Sequence, residues 1–167
     1  MVGVSEKKRT EILKIARKMK YVPNSNARSL VVSNSNLIGI SFPTFAAEVF
    51  AKILSDMRGT FDSAGYSSVI DTTEYSRTAE LSLVKRLLSW QPAAIILTGV
   101  DHDKETRTLL QASKIPVLEI WDHTDDPIDA CIGVGHFAAG RLMWQHAVDL
   151  GYTSPAFVTT PFAQTRI

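Results

Sequence analysis

A chain of 167 residues, 45% apolar and 21% charged, holds one ordinary domain plus a short appendage. Its charges are unevenly placed: residues 1–36 carry eight basic side chains against Glu6 and Glu11, a net of +6, and residues 37–167 carry ten basic against fifteen acidic, a net of −5. No stretch nears the ~20 continuous apolar residues of a membrane span, no apolar run follows the N-terminus as a secretion signal requires, and the single cysteine, Cys131, excludes an internal disulfide and favours a reducing cytoplasm.

Ser5 followed by Glu6 is a helix start, a capping hydroxyl with an acid in the first turn. Ile12, Ile15, Ala16 and Met19 then recur at helical spacing, with lysines and arginines on the other faces. Tyr21-Val22-Pro23 ends this helix, because proline keeps its predecessor out of the α region. Asn24 caps a second, shorter helix to about Val32, too short to be stable alone in water, and Ser33-Asn34-Ser35-Asn36 is a linker. A basic head on a mildly acidic body points to a polyanion partner for the head; a solvated lysine-rich helix is the alternative reading of the same charges.

From Leu37 the pattern becomes short apolar strands alternating with amphipathic helices. Strands are expected at 37–42, 67–71, 93–97, 116–120 and 155–159, with a short one near 130–133. Helices are expected from about Phe50 to Gly65, over about 77–90, more weakly over 103–112, and over 136–150, ending at Gly151. This alternation specifies an α/β fold with a doubly wound parallel sheet. Ligands in such sheets bind beyond the carboxyl ends of the strands, here the segments after each strand. The chain stops just after the 155–159 strand, with no helix to cover it, which reads as a truncation.

Few residue groups suggest chemistry. Gly133-Val134-Gly135 with Gly140 lacks the spacing and the following acid of a dinucleotide loop, and is better explained as glycines packing a helix start against the sheet. Asp101-His102-Asp103 and Asp122-His123 with Asp125 and Asp126 have metal-ligand residue types but no metal-ligand spacing, and read as solvated or capping groups. Cys131 sits in an apolar run and reads as inert core. No nucleophile elbow or paired carboxylates are present, so neither an enzyme, a cofactor nor a metal site is expected. Asp122, beside Trp121 just past a strand, has the place of a carboxylate acceptor with an aromatic face for a sugar-like ligand; an ordinary loop acid is the alternative.

Val4-Ser5-Glu6-Lys7, Ile12, Ala16, Tyr21-Val22-Pro23-Asn24 and Ala27-Arg28-Ser29-Leu30, followed by Ile38-Gly39-Ile40, resemble the end of the DNA-binding domain of the lac-repressor/galactose-repressor (LacI/GalR) family. The body is similar to that family throughout 37–167, most of all to gluconate-operon repressors through Leu88-Ser89-Trp90, Ile95-Ile96-Leu97-Thr98 and Ile115-Pro116-Val117-Leu118-Glu119. The resemblance implies three parts: the end of a helix-turn-helix domain over 1–23, a hinge helix and linker over 24–36, and the N-terminal part of a periplasmic-binding-protein-like sensor over 37–167. The family's recognition helix would precede Val4 and the second sensor lobe would follow Ile167. The family's usual Asp-Asn and Gly-His pairs stand here as Gly135-His136 and Gly151-Tyr152.

By position, the resemblance implies that Leu30 wedges into the minor groove of operator DNA, beside Ala27 and Asn24, and that Arg28 with Ser25 or Ser29 touches the backbone. It implies an effector cleft lined by Pro43, Val49, Phe50, Thr98, Asp122 and Arg166, taking a small carbohydrate or sugar acid, in a cytoplasmic homodimer. The competing reading is a periplasmic-type sugar-binding protein without DNA function; the basic arm argues against it.

Overall fold

The computed structural model describes residues 4–22, 35–46, 48–156 and 158. The chain forms two compact units, Met1–Ser33 and Asn34–Ile167.

The first unit is described by one helix, α1 (Glu6–Lys18). Ser5 stands at its N-cap position, yet its hydroxyl makes no capping bond. The start is held by an acid in the first turn and by Thr10 Oγ1 donating to the Glu6 carbonyl at 2.9 Å. The Ile12, Ile15 and Met19 stripe stays exposed, and no residue of α1 is buried. The hinge segment expected over 24–32 lies outside the described residues.

The second unit is a five-stranded, all-parallel sheet in the order β2-β1-β3-β4-β5, built from β1 (Leu37–Phe42), β2 (Ser67–Thr72), β3 (Ala94–Thr98), β4 (Val117–Asp122) and β5 (Ala130–Val134). Its helices are α2 (Glu48–Ser63), α3 (Arg77–Ser89), α4 (Lys104–Ser113) and α5 (His136–Asp149). Every expected element from 37 to 150 is present within a few residues. The short strand near 130–133 is a full strand, paired in parallel with β4 from Leu118↔Ala130 to Asp122↔Val134. Of the strand expected at 155–159, residues 155, 156 and 158 are irregular, and 157 and 159 lie outside the described residues.

The core divides by strand alternation. Ile95 and Leu97 of β3, with Val117 of β4, pack against Leu83, Val84 and Leu87 of α3 and Leu110 of α4. Ile96, between them, turns to the other face and joins Ile38, Ile40 and Phe42 of β1, Ile120 of β4 and Phe50 of α2. Both faces of β1 and β3 are therefore covered, which explains why nearly every residue in them is buried. By contrast α5 buries none of its residues, and Phe137, Leu142, Met143 and Trp144 are exposed. Gly65 and Gly151, at φ +78° and +85°, stop α2 and α5. No helix of the described residues is long and apolar enough to cross a membrane.

Candidate functional site

The carboxyl ends of the strands bring together part of the expected cleft. Phe50, from the first turn of α2, is 3% exposed, and its ring lies 5.3 Å from Phe42 and 5.1 Å from Trp121 at the end of β4. Trp121 has φ +87°, a region that L-residues seldom occupy, so the backbone is strained at the end of β4. Asp122 follows it, half-buried, and its Oδ1 lies 3.0 Å from Nε2 of His136, at the first position of α5. A carboxylate, an imidazole and an aromatic ring thus stand together at one edge of the sheet.

The other expected residues behave differently. Pro43 is buried just after β1, and Val49 is exposed. Thr98 ends β3, buried, with its hydroxyl donating to the Ser41 carbonyl at 2.9 Å. Arg166 and the hinge residues Asn24, Ser25, Ala27, Arg28, Ser29 and Leu30 lie outside the described residues.

Three sequence readings are corrected. Cys131 is not core: it is half-exposed at the outer strand β5, with Sγ 3.1 Å from the Asp122 carbonyl. Gly140 does not pack a helix against the sheet, since a Cβ there would meet nothing within 4 Å. Gly133 does mark a close approach, to the backbone of the β4 end: its Cβ would stand 2.1 Å from the Asp122 carbonyl oxygen. His102 is neither solvated nor a cap. Its side chain is fully buried, Nδ1 lies 3.0 Å from Glu80 Oε2, and Nε2 lies 3.1 Å from the Gly99 carbonyl and 3.4 Å from Glu119 Oε1.

Its neighbours in the same tripeptide are ordinary: Asp101 pairs with Arg77, and Asp103 caps α4 by accepting from Thr106 N–H at 2.7 Å. That backbone bond, more than any other influence, holds the Asp103 carboxyl below the usual range. Among the described residues no group of three ligand-type side chains is arranged to hold a metal ion.

The buried cluster was the feature sequence reasoning missed. Its signal was Glu119, a charged residue inside the apolar run Val117-Leu118-Glu119-Ile120, since a carboxylate in a strand covered on both faces requires a partner. Glu119 Oε2 also accepts from the Ile128 N–H at 2.6 Å, so the cluster reaches the loop after β4. The same loop is gripped from α4 by Arg107, which donates to the Asp126 carbonyl at 2.8 Å and pairs with its carboxylate at 2.9 Å.

No family model matches the chain. The HTH-type transcriptional regulator GntR of Pseudomonas aeruginosa is 26% identical over 167 residues, 100% of this chain and 49% of its own length. A LacI-family transcriptional regulator from Silicibacter pomeroyi superposes with TM-score 0.79 at 33% identity, over 90% of this chain and 45% of that one. The lac repressor dimer bound to operator and the anti-inducer ONPF, at 24% identity, shares the fold with TM-score 0.71 over 97% of this chain and 49% of its own. The chain spans about half the length of the curated relatives it matches. In sequence and in fold, the chain is similar to about half of a LacI-type transcriptional regulator.

Proposed function

We propose that this chain belongs to a cytoplasmic, homodimeric transcriptional repressor, not an enzyme, in which a basic arm and hinge engage operator DNA and the sheet supplies one wall of an effector cleft. The effector is a small carbohydrate or sugar acid. The observation that carries this reading is the half-buried Asp122 carboxylate beside Trp121, whose ring packs on Phe50. A carboxylate accepts hydrogen bonds from sugar hydroxyls, and an aromatic ring covers the apolar face of a pyranose. Lac repressor, similar at 25% identity, has been seen with ONPG bound.

On the DNA side the reading rests on the sequence: six net positive charges in residues 1–36, and Asn24, Ala27, Arg28 and Leu30 in the hinge register. Effector closure over the sheet edge would alter the spacing of two hinges and so shift their population on DNA. Fluorescence anisotropy of a labelled duplex, titrated with the chain at several salt concentrations, tests the DNA half. Six neutralised phosphates imply an affinity loss of about a thousandfold between 50 and 200 mM salt. Binding that ignores salt contradicts the assignment of the arm.

A further inference from the structure

Strands β4 and β5 run parallel, with Leu118 opposite Ala130 and Asp122 opposite Val134. The chain leaves β4 at Asp122 and must return along the whole paired stretch before it can begin β5. It does so over residues 123–129, with no helix among them. Parallel crossovers ordinarily take about a dozen residues or more and contain a helix, which satisfies its own backbone groups. The steps from Asp122 to Ala130 can reach about 26–29 Å, whereas the return needs only about 13 Å at ~3.3 Å per residue. The crossover therefore has slack, and groups outside it must set its course.

Side chains set it. At the end nearer β5, Ile128 packs against the core between the sheet and α3 and α4, its N–H donates to Glu119 Oε2 at 2.6 Å, and Asp129 Oδ2 accepts from the Val117 N–H at 3.2 Å. Nearer Asp122 the grip is Arg107 of α4, whose Nη2 donates to the carbonyls of Asp126 at 2.8 Å and Pro127 at 3.3 Å. The same nitrogen pairs with the Asp126 carboxylate at 2.9 Å, but that side chain is 91% exposed, where an ion pair contributes little. The two carbonyls matter more, because they receive from Arg107 the donor that a helix would have supplied from within. A guanidinium only donates, so these bonds do not depend on the protonation of any neighbouring carboxyl.

We propose that Arg107 is a positioning residue for the effector wall: by fixing the Asp126 and Pro127 carbonyls it sets the course of the helix-free crossover and, through residues 123–125, the placement of Asp122. Asp122 is the point where the crossover joins β4, and its carboxylate meets His136 at 3.0 Å. A wall fixed before a ligand arrives spares the ordering cost that the ligand would otherwise meet. This role rests on the cleft reading for its purpose, but not for its existence.

Nitrogen NMR and amide exchange on the 15N-labelled chain test this without an effector. In the parent, the Arg107 guanidinium should give separate Nη resonances, because a bonded fork does not rotate freely; one averaged signal overturns the proposal. Arg107→Met keeps an unbranched apolar stem without a donor. It should weaken exchange protection at Ile128 by about tenfold or more and shift the His136 Nε2 resonance, while Ile96 in β3 keeps its protection. Asp126→Asn retains both carbonyls and should leave Ile128 and His136 as in the parent. Equal effects of the two substitutions would mean a surface ion pair only, and an unmoved His136 in Arg107→Met would mean that the grip does not reach Asp122; either result overturns the proposal. Loss of protection at Ile96 as well would mean that Arg107 holds the fold and not the crossover, which overturns it too. Failure of a sugar acid to bind would count against the cleft reading and leave all these readouts untouched.

Discussion

Gly133→Ala probes the contact between the last strand and the candidate site. A Cβ at this position would stand 2.1 Å from the Asp122 carbonyl oxygen, 2.5 Å from its carbon and 2.6 Å from the Trp121 carbonyl carbon. All three are backbone atoms of β4, so no side-chain rotation relieves the overlap, and β5 must move away by about 1 Å against the ladder that joins it to β4. Overpacking of a well-packed core costs typically about 1–3 kcal/mol, and a backbone obstacle belongs at the upper end, about 3 kcal/mol. For a chain of this size that is a fall in Tm of about 6–12 °C. Gly140→Ala is the matched control. It adds the same methyl inside α5, where nothing lies within 4 Å, and should stabilise by up to about 1 kcal/mol through helix propensity. Urea unfolding followed by circular dichroism separates the two. A Gly133→Ala chain as stable as the parent would refute the close approach of β5 to the Asp122 backbone.

Two other perturbations follow from local geometry. Asp103→Ala removes the cap of α4 and should cost about 0.5–2 kcal/mol at neutral pH. The Asp103 carboxyl sits below its unfolded value, so its contribution is present above pH ~3.9 and lost as pH falls through the lowered folded value; the parent–variant difference in urea midpoints should shrink in acid. Lys114, at φ +58° in the left-handed C-cap of α4, should give way to glycine with a gain of about 0.5–1 kcal/mol in the same urea assay.

The alternation of strand and helix was legible because periodicity encodes burial directly: Ile95-Ile96-Leu97 reads as a strand covered on both faces, and it is one. The β5 strand was only half legible, because Ala130–Val134 is largely exposed and its apolar run is short and interrupted by Gly133. Within the site, Asp122 and Trp121 could be placed from strand ends alone. His136 could not, since its pairing with Asp122 depends on how β5 and α5 return beside β4. The His102 cluster was hidden for a related reason: Glu80, His102 and Glu119 come from three separate segments, and only the packed sheet brings them within hydrogen-bond reach.

The assignment of Asp122 to an effector cleft is the central claim, and paired substitutions test it most directly. The chain would be joined to the second half of the Pseudomonas aeruginosa relative and titrated by calorimetry with D-gluconate and D-glucose. Sensor sites of this kind bury most of a ligand between two walls, so binding should depend on the added half and be negligible in the 167-residue chain. Asp122→Ala should then weaken binding by roughly 1–3 kcal/mol, the cost of unpaired polar groups in a dry site. Asp125→Ala, in the loop that follows Asp122 and exposed, should change it little. Equal small effects of the two substitutions, or no binding of either ligand by the joined protein, would contradict the account.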